Sequence, residues 1–159
     1  MKLSKRPTDQ ALERTVAALT RCNEKTAPYG LRLTPEEMNQ LARQRFTALD
    51  QTGRVEFGDG VLETLVAAFQ DSPYLHQGAY AETVGALQDL FYHFKNESMD
   101  RLTDEILLQA MRVSFDRAGG SLDYLGGTAL EDLCRWARSP ESSMRVEIRE
   151  DEEEGKDGE

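Results

Sequence analysis

The chain has 159 residues, of which 39% are hydrophobic and 30% are charged, and this is enough for one domain and too few for two of ordinary size. Its formal net charge of −10 argues against nucleic acid or an anionic membrane surface as a partner, because phosphate binding needs clustered Lys and Arg. No stretch approaches the roughly 18 apolar residues that span a bilayer, and the first residues lack the apolar run of an export signal. We therefore expect a cytoplasmic protein.

The acidic residues are concentrated at the end of the chain. Residues 141–159 contain nine acidic and three basic residues, and residues 150–159 contain no apolar side chain to bury. Val146 and Ile148 alternate with charged residues in a pattern that fits a short edge strand. The sequence predicts a single helical domain over residues 1–140, followed by an acidic, disordered tail over residues 141–159.

The first two helices have clear boundaries in the sequence. Thr8 is placed to cap the first, which ends near Gly30. Thr34 and Glu37 form a capping box for the second, with proline at the first helical position, and Gly53 ends it. The apolar side of this second helix includes one charged residue, since Arg45 shares it with Met38, Leu41, Ala48 and Leu49.

Four further helices are predicted after residue 60. Pro73 separates a short helix, Val61 to Phe69, from the longest apolar series in the chain, which we place at the centre of the core. Thr103 caps the next helix, and Thr128 to Arg138 form the last. The central series consists of Tyr80, Val84, Leu87, Phe91 and Phe94.

Two stretches of the sequence resemble one unit written twice. Residues 33–36 match residues 102–105, and the alternating segment Val55 to Phe57 matches Leu122 to Tyr124. A true duplication and two convergent helical hairpins both remain open. The fold class that we predict is mainly α, a compact domain of about six helices, with two helix-turn-strand-helix repeats joined by a small two-stranded antiparallel ribbon.

The repeated unit invites comparison with paired EF-hands, which ligand chemistry can test. Calcium needs six or more oxygen ligands at alternating loop positions. With Gly53 as the central glycine, Ala48 falls at the first ligand position and Asp59 at the last. In the second unit, Phe115 and Gly126 take those two places. Neither loop has the ligands, so we expect no calcium binding.

Motifs for other metals and for cofactors are also absent from the sequence. Cys22 and Cys134 lack the spacing of a metal-binding knuckle, and we expect both to be reduced and partly buried. Asp89, His93 and Glu97 form a ladder on one helix, but it extends over about 12 Å and cannot close on one ion. No phosphate loop or dinucleotide fingerprint is present. We expect neither a metal nor a cofactor.

Five short sequence strings, taken in their order along the chain, are typical of one protein family. They are Tyr29-Gly-Leu31, Gly53-Arg-Val-Glu-Phe-Gly58, Asp71-Ser-Pro-Tyr-Leu75, Phe91-Tyr92 with Phe94-Lys-Asn-Glu97, and Leu122-Asp-Tyr-Leu125 with Gly127-Thr128. Over roughly residues 27–138, they resemble a family of short bacterial proteins of unknown function, mostly from Firmicutes. The resemblance implies a bacterial cytosolic origin and assigns no catalytic residues.

The most enzyme-like string runs from Asp71 to His76. It places the Ser72 hydroxyl near a carboxylate and an imidazole, with Tyr74 between them. A nucleophilic serine needs a base at hydrogen-bond distance and an oxyanion hole, and no nucleophile elbow is present. In the alternative interpretation Ser72 caps a turn, while Tyr74 and the leucine after it pack inward. We favour this structural interpretation.

Glu56 and Asp123 form a second pair of candidates, since they occupy equivalent places in the two units. If the two short strands paired, these carboxylates could lie close enough to act as acid and base or to hold a cation. Strand alternation favours a simpler arrangement, in which both acids point outward while apolar neighbours such as Val55 and Phe57 point inward.

The leading hypothesis is a non-catalytic protein-interaction or regulatory module, because the chain is small, acidic and without a recognisable site. Tyr92 projects about 100° away from the core-facing Phe91 and is a candidate contact for a protein partner. Trp136 is a second candidate. The alternative is a small enzyme or small-ligand-binding protein that uses the segment from Asp71 to His76 or the pair Glu56 and Asp123. A deep polar pocket would favour the alternative, and an exposed apolar groove would favour the interaction module.

Overall fold

The structure is a computed structural model that describes residues 8–139, except for the side chains of residues 128 and 129. Most of this range is helical, and none of it lies in a β-strand, which confirms the mainly α prediction. Short 3₁₀ turns lie at Ala27–Tyr29 and Gln77–Ala79. The helices are α1 (Asp9–Thr26), α2 (Pro35–Thr52), α3 (Leu62–Phe69), α4 (Tyr80–Glu97), α5 (Asp104–Arg117), α6 (Leu122–Leu125) and α7 (Thr128–Arg138).

Threonine side chains start three of these helices, as their sequences predict. Thr8, Thr34 and Thr103 each accept a hydrogen bond from the third amide of the helix that follows. Glu37 completes the capping box by accepting the Thr34 amide at 2.9 Å. Gly53 ends α2 in the left-handed conformation, with φ at 68°.

Helix α4 lies at the centre of the molecule. It packs against α2, α3, α5, α6 and α7, while α1 covers α2 and α3 from outside. Its apolar series is at most 2% exposed, and Phe69 of α3 meets Phe115 of α5 edge to face. The prediction that this helix forms the middle of the core is confirmed. Within residues 8–139, no helix combines the length and the apolar character needed to cross a membrane.

The predicted two-stranded ribbon is wrong. Residues 54–57 have no regular secondary structure and join no β-ladder, and Leu122–Leu125 form the single helical turn α6. Ser121 caps this turn by accepting the Tyr124 amide, and two alternating apolar residues fit one helical turn as well as a strand. The repeat loses its structural support, because its two matched segments have different conformations. The predicted tail, including the strand at residues 146–148, lies outside the described residues.

Candidate functional site

Three helices and one loop meet at a buried charged cluster. Arg45 of α2 is 2% exposed and donates from Nε to Glu56 Oε1 at 2.8 Å. A second nitrogen, Nη1, donates to the hydroxyl of Thr15 on α1 at 2.6 Å. The hydroxyl of Tyr92 on α4 donates to the same Glu56 oxygen at 2.6 Å. Two donors thus converge on one carboxylate, in a place with little access to water.

Glu56 belongs to an irregular loop, residues 55–60, which we call the strap. In the described part of the chain, the strap backbone forms no hydrogen bond with other backbone groups. Side chains attach it instead. Glu56 holds the middle, and Asp59 pairs with Arg21 at 3.0 Å. Just before the strap, Arg54 donates to Asp100 at 2.6 Å.

The strap has the opposite orientation from the one expected. Val55 and Phe57 are 77% and 87% exposed, whereas the Glu56 side chain is only 17% exposed. Burying Val55 and Phe57 would contribute about 1.5–3 kcal/mol each. Turning Glu56 outward would cost about 3–5 kcal/mol for the unpaired Arg45 charge, and about 1–3 kcal/mol more for the buried Tyr92 hydroxyl, whose hydrogen bond Glu56 accepts. The buried Arg45 therefore determines the orientation, and the prediction that Glu56 points outward and its neighbours inward is wrong.

Gly60 allows the strap to lie this close to the cluster. Its φ is 72°, and a Cβ atom built there would lie less than 3.0 Å from both the Glu56 carboxylate and the Arg45 guanidinium. Gly53 has a similar φ of 68°, yet nothing lies within 4 Å of its would-be Cβ. Gly60 is thus required for space as well as for backbone conformation.

Two clefts flank the strap. The larger, of about 340 Å³, lies between the start of α1, α2 and the strap, and Arg14, Arg45 and Phe46 line it. The smaller, of about 220 Å³, lies toward α4 and is lined by Tyr92 and Lys95, among others. Glu56 and Phe57 line both clefts, so the strap is the wall between them.

The Asp71 to His76 segment forms a structural joint between α3 and α5. The Ser72 hydroxyl donates to Asp116 Oδ1 at 2.7 Å and accepts the Tyr74 amide at 3.2 Å. Asp71 pairs with Arg112 at 2.5 Å, and this guanidinium holds the pKa of the Asp71 carboxyl below its usual range. These contacts account for the side chains of Asp71 and Ser72.

This segment does not join Ser72 to the imidazole of His76. Ser72 is 6% exposed, and its hydroxyl donates a hydrogen bond to Asp116, a carboxylate that is paired with Arg112. His76 is exposed and precedes a 3₁₀ turn. Ser72 does shape the turn, as expected, and Leu75 packs inward at 7% exposure. Tyr74 does not pack inward, because 42% of its surface is exposed. The part of the structural interpretation that concerns Tyr74 is therefore wrong.

The structure does not bring the second carboxylate pair together through a ribbon. Glu56 lies in the cluster with Arg45 and Tyr92, whereas Asp123 is exposed on α6. The two segments also differ in conformation, so the positional equivalence has no counterpart in space. Glu56 is the member of the pair with a structured polar environment.

The prediction that Tyr92 is left exposed for a partner is wrong. Tyr92 is 1% exposed; its ring packs edge to face on Phe91, and its hydroxyl is bonded to Glu56. Burial, together with the adjacent Glu56 carboxylate, raises the pKa of Tyr92 above its usual range. Trp136 is 37% exposed on α7 and remains accessible to a partner.

Sequence reasoning missed Phe57, although the charged Arg45 within an apolar stripe signalled that a nearby acid would turn inward.

Both cysteines are free and buried, at 2% exposure for Cys22 and 1% for Cys134. Burial raises the pKa of Cys22 to about 11, and it also raises the pKa of Cys134. A raised pKa disfavours the thiolate, which is the form in which a cysteine acts as a nucleophile or binds a metal. The surroundings of the two cysteines therefore do not activate either thiol.

The residues of the predicted ladder on α4 have separate roles. Gln44 donates to Asp89 at 3.0 Å, Glu97 pairs with Arg138 at 3.2 Å, and the exposed His93 packs against Phe94. Across residues 8–139, no group of three or more His, Cys, Asp and Glu side chains is placed to hold a metal ion. The outer two residues of the ladder thus bind side chains of other helices, Gln44 of α2 and Arg138 of α7.

Comparison with known proteins places the chain in a family. A family of unknown function, DUF6323, matches residues 18–143, and the chain belongs to this family. The match covers the range over which the sequence resembles an uncharacterised family. No curated protein matches the chain, and no solved structure matches it. Family membership thus agrees with the sequence analysis without assigning an activity or the role of any residue.

Proposed function

We propose that the protein is a non-catalytic protein-interaction module that presents Phe57 to a partner. The observation that carries the proposal is the orientation of the strap, with Phe57 87% exposed above a Glu56 that is bonded to buried Arg45. A large aromatic side chain held out in water is unfavourable for the isolated chain. The same side chain is the kind of residue that dominates binding energy at protein interfaces.

The attachment of the strap supports this role. Glu56 fixes the middle of the strap through its bond to Arg45. Arg54, the residue just before the strap, is fixed by its bond to Asp100. A contact residue that is held in place before binding loses less conformational entropy in the complex. Val55, which is 77% exposed on the same strap, would extend the apolar contact.

The charge of the molecule indicates the chemistry of the partner. Residues 8–139 contain 20 acidic and 13 basic residues, and the whole chain has a net charge of −10. Two copies of this chain would repel each other, whereas a basic partner would be attracted. We therefore propose a basic protein with an apolar pocket for Phe57. The family resemblance and the free thiols favour the cytosol of a bacterium as the place where they meet.

A photo-crosslinking amino acid at position 57 tests the proposal in cells. The matched control carries it at Val113, which is 42% exposed on α5 and far less prominent. We expect one crosslinked protein at position 57 that is absent at position 113. The purified complex should then weaken at least about tenfold with Phe57→Ala, the loss of one good interface anchor. Equal crosslinking at positions 57 and 113, or equal affinity of Phe57→Ala and Val113→Ala for the partner, would reject the proposal.

Catalysis at residues 71–76 has weak support, because Ser72 is only 6% exposed and the carboxylate partner of its hydroxyl, Asp116, is paired with Arg112. Ligand binding next to Glu56 is favoured by a specific observation, the pair of clefts beside the strap.

A further inference from the structure

We propose that Arg45 and Tyr92 form a binding site for a carboxylate, that Glu56 fills this site from within the chain, and that a carboxylic acid ligand can displace the strap. This inference goes beyond the proposed interaction through Phe57. It concerns Arg45 and Tyr92, which lie beneath the strap, whereas the proposed interaction concerns the outer surface of the strap. Either proposal can therefore fail while the other holds.

The first support is the chemistry of the donors. The Arg45 Nε and the Tyr92 hydroxyl converge on one oxygen of the Glu56 carboxylate, at 2.8 and 2.6 Å. Charge-assisted hydrogen bonds from a guanidinium and a hydroxyl are typical of carboxylate recognition. Thr15 holds a second nitrogen of Arg45 at 2.6 Å, which fixes the guanidinium whether or not Glu56 is present.

The second support is the way the strap is attached. Residues 55–60 share no backbone hydrogen bond with the rest of the described chain, so lifting them breaks no ladder and no helical turn. The contacts to be exchanged are those of side chains, chiefly Glu56 with Arg45. Segments held in this way open at lower free energy than hydrogen-bonded elements do.

The third support is the space on both sides of Glu56. The clefts of about 340 and 220 Å³ share Glu56 and Phe57 as their common wall. Withdrawal of the strap would join them into one groove, within the range of about 300–1,000 Å³ that is typical of small-ligand sites. Phe46, Leu49 and Phe91 line the two clefts and would contact an apolar body. The geometry thus favours a small carboxylic acid with an apolar or aromatic group.

The test uses Glu56→Ala, which empties the site, with Asp123→Ala as the matched loss of an exposed acid. Acetate and benzoate are the probes, and chloride and phosphate at equal ionic strength are the controls. We expect the two carboxylates to raise the melting temperature of Glu56→Ala saturably and to shift its Arg45 Nε–H NMR signal toward the wild-type position. Benzoate should bind about tenfold more tightly than acetate, because its ring is buried. Asp123→Ala, in which Glu56 still fills the site, should not respond at the concentrations that saturate Glu56→Ala.

The wild-type chain tests displacement itself. Benzoate at high concentration should shift the amide signals of residues 55–60 toward their positions in Glu56→Ala. If Glu56→Ala does not fold, Glu56→Gln keeps the shape of the side chain and should show the same carboxylate-specific stabilisation. Equal effects of benzoate and chloride on the variants would overturn the carboxylate site. Unchanged strap signals in the wild-type chain would overturn displacement.

Discussion

One guanidinium decides how the strap is arranged. Arg45 lies on the apolar side of α2 at 2% exposure, so it needs a carboxylate, and Glu56 is the acid that reaches it. The sequence did show a charged residue in that stripe. It could not show which acid would pair with it, because the partner is chosen by the path of the chain between α2 and α3. The same carboxylate also accepts a hydrogen bond from the hydroxyl of Tyr92, which gives this buried side chain a hydrogen-bond partner.

A double-mutant cycle tests this dependence. We expect Glu56→Ala to lower the free energy of unfolding by about 3–5 kcal/mol, because it leaves the Arg45 charge buried without a counterion. Arg45→Met combined with Glu56→Ala should be less destabilising than Glu56→Ala alone, since no charge then remains. Urea denaturation of the wild-type chain, Glu56→Ala, Arg45→Met and the double variant completes the cycle. Costs that simply add would show that the two residues act independently.

Two glycines provide a matched comparison. Gly60 and Gly53 both have a positive φ, so either alanine variant pays about 1–2 kcal/mol for the left-handed conformation. Gly60→Ala should cost about 1–3 kcal/mol more, because its new methyl group meets Glu56 and Arg45. Thermal denaturation with a known unfolding enthalpy gives the difference. Equal costs for the two variants would mean that the strap does not lie against the cluster.

At the level of elements, the sequence predicts what is decided locally. Thr8, Thr34 and Thr103 start their helices as expected, because a cap depends on residues within one turn. The two strands predicted for the ribbon are wrong because three or four alternating residues carry too little periodicity to separate a strand from a single helical turn. The conformation of such a short segment is decided by the side chains that bind it. Arg45 binds the strap through Glu56, and Ser121 supplies a cap for α6.

The capping box of α2 gives a prediction at this scale. Thr34→Ala removes the acceptor of the Glu37 amide and should lower the free energy of unfolding by about 1 kcal/mol. Thr47→Ala, on an exposed position in the middle of the same helix, should change it by less than about 0.5 kcal/mol. Chemical denaturation measures both. A larger effect at Thr47 would mean that α2 is not capped at Thr34.

For the molecule as a whole, ion pairs make the free energy of unfolding depend on pH. Arginine partners lower the pKa of Asp71 and Asp100, and Arg21 with Lys25 lowers that of Glu63. A carboxyl group whose pKa is lower in the folded state contributes stability above its unfolded pKa, and that contribution is lost as the pH falls through the folded pKa. The protein should therefore lose stability as the pH falls below about 4.

Asp71→Asn tests the sign of this effect. The gap in free energy of unfolding between the wild-type chain and Asp71→Asn should be largest near neutral pH and should shrink as the solution becomes acidic. Asp123→Asn controls for the loss of one negative charge from the surface. Denaturant titrations across the pH range give the gap. A gap that widens in acid would contradict the assignment of Arg112 as the stabilising partner.

The central claim is that the strap holds Phe57 in water above a buried Glu56, and ¹⁹F NMR tests it most directly. The chain has six phenylalanines, of which Phe57 is 87% exposed while Phe69, Phe91, Phe94 and Phe115 are at most 2% exposed. In fluorophenylalanine-labelled protein, a soluble paramagnetic agent should broaden one signal far more than the others, and Phe57→Leu should remove that signal. A Phe57 signal as protected as those of the core would contradict the account.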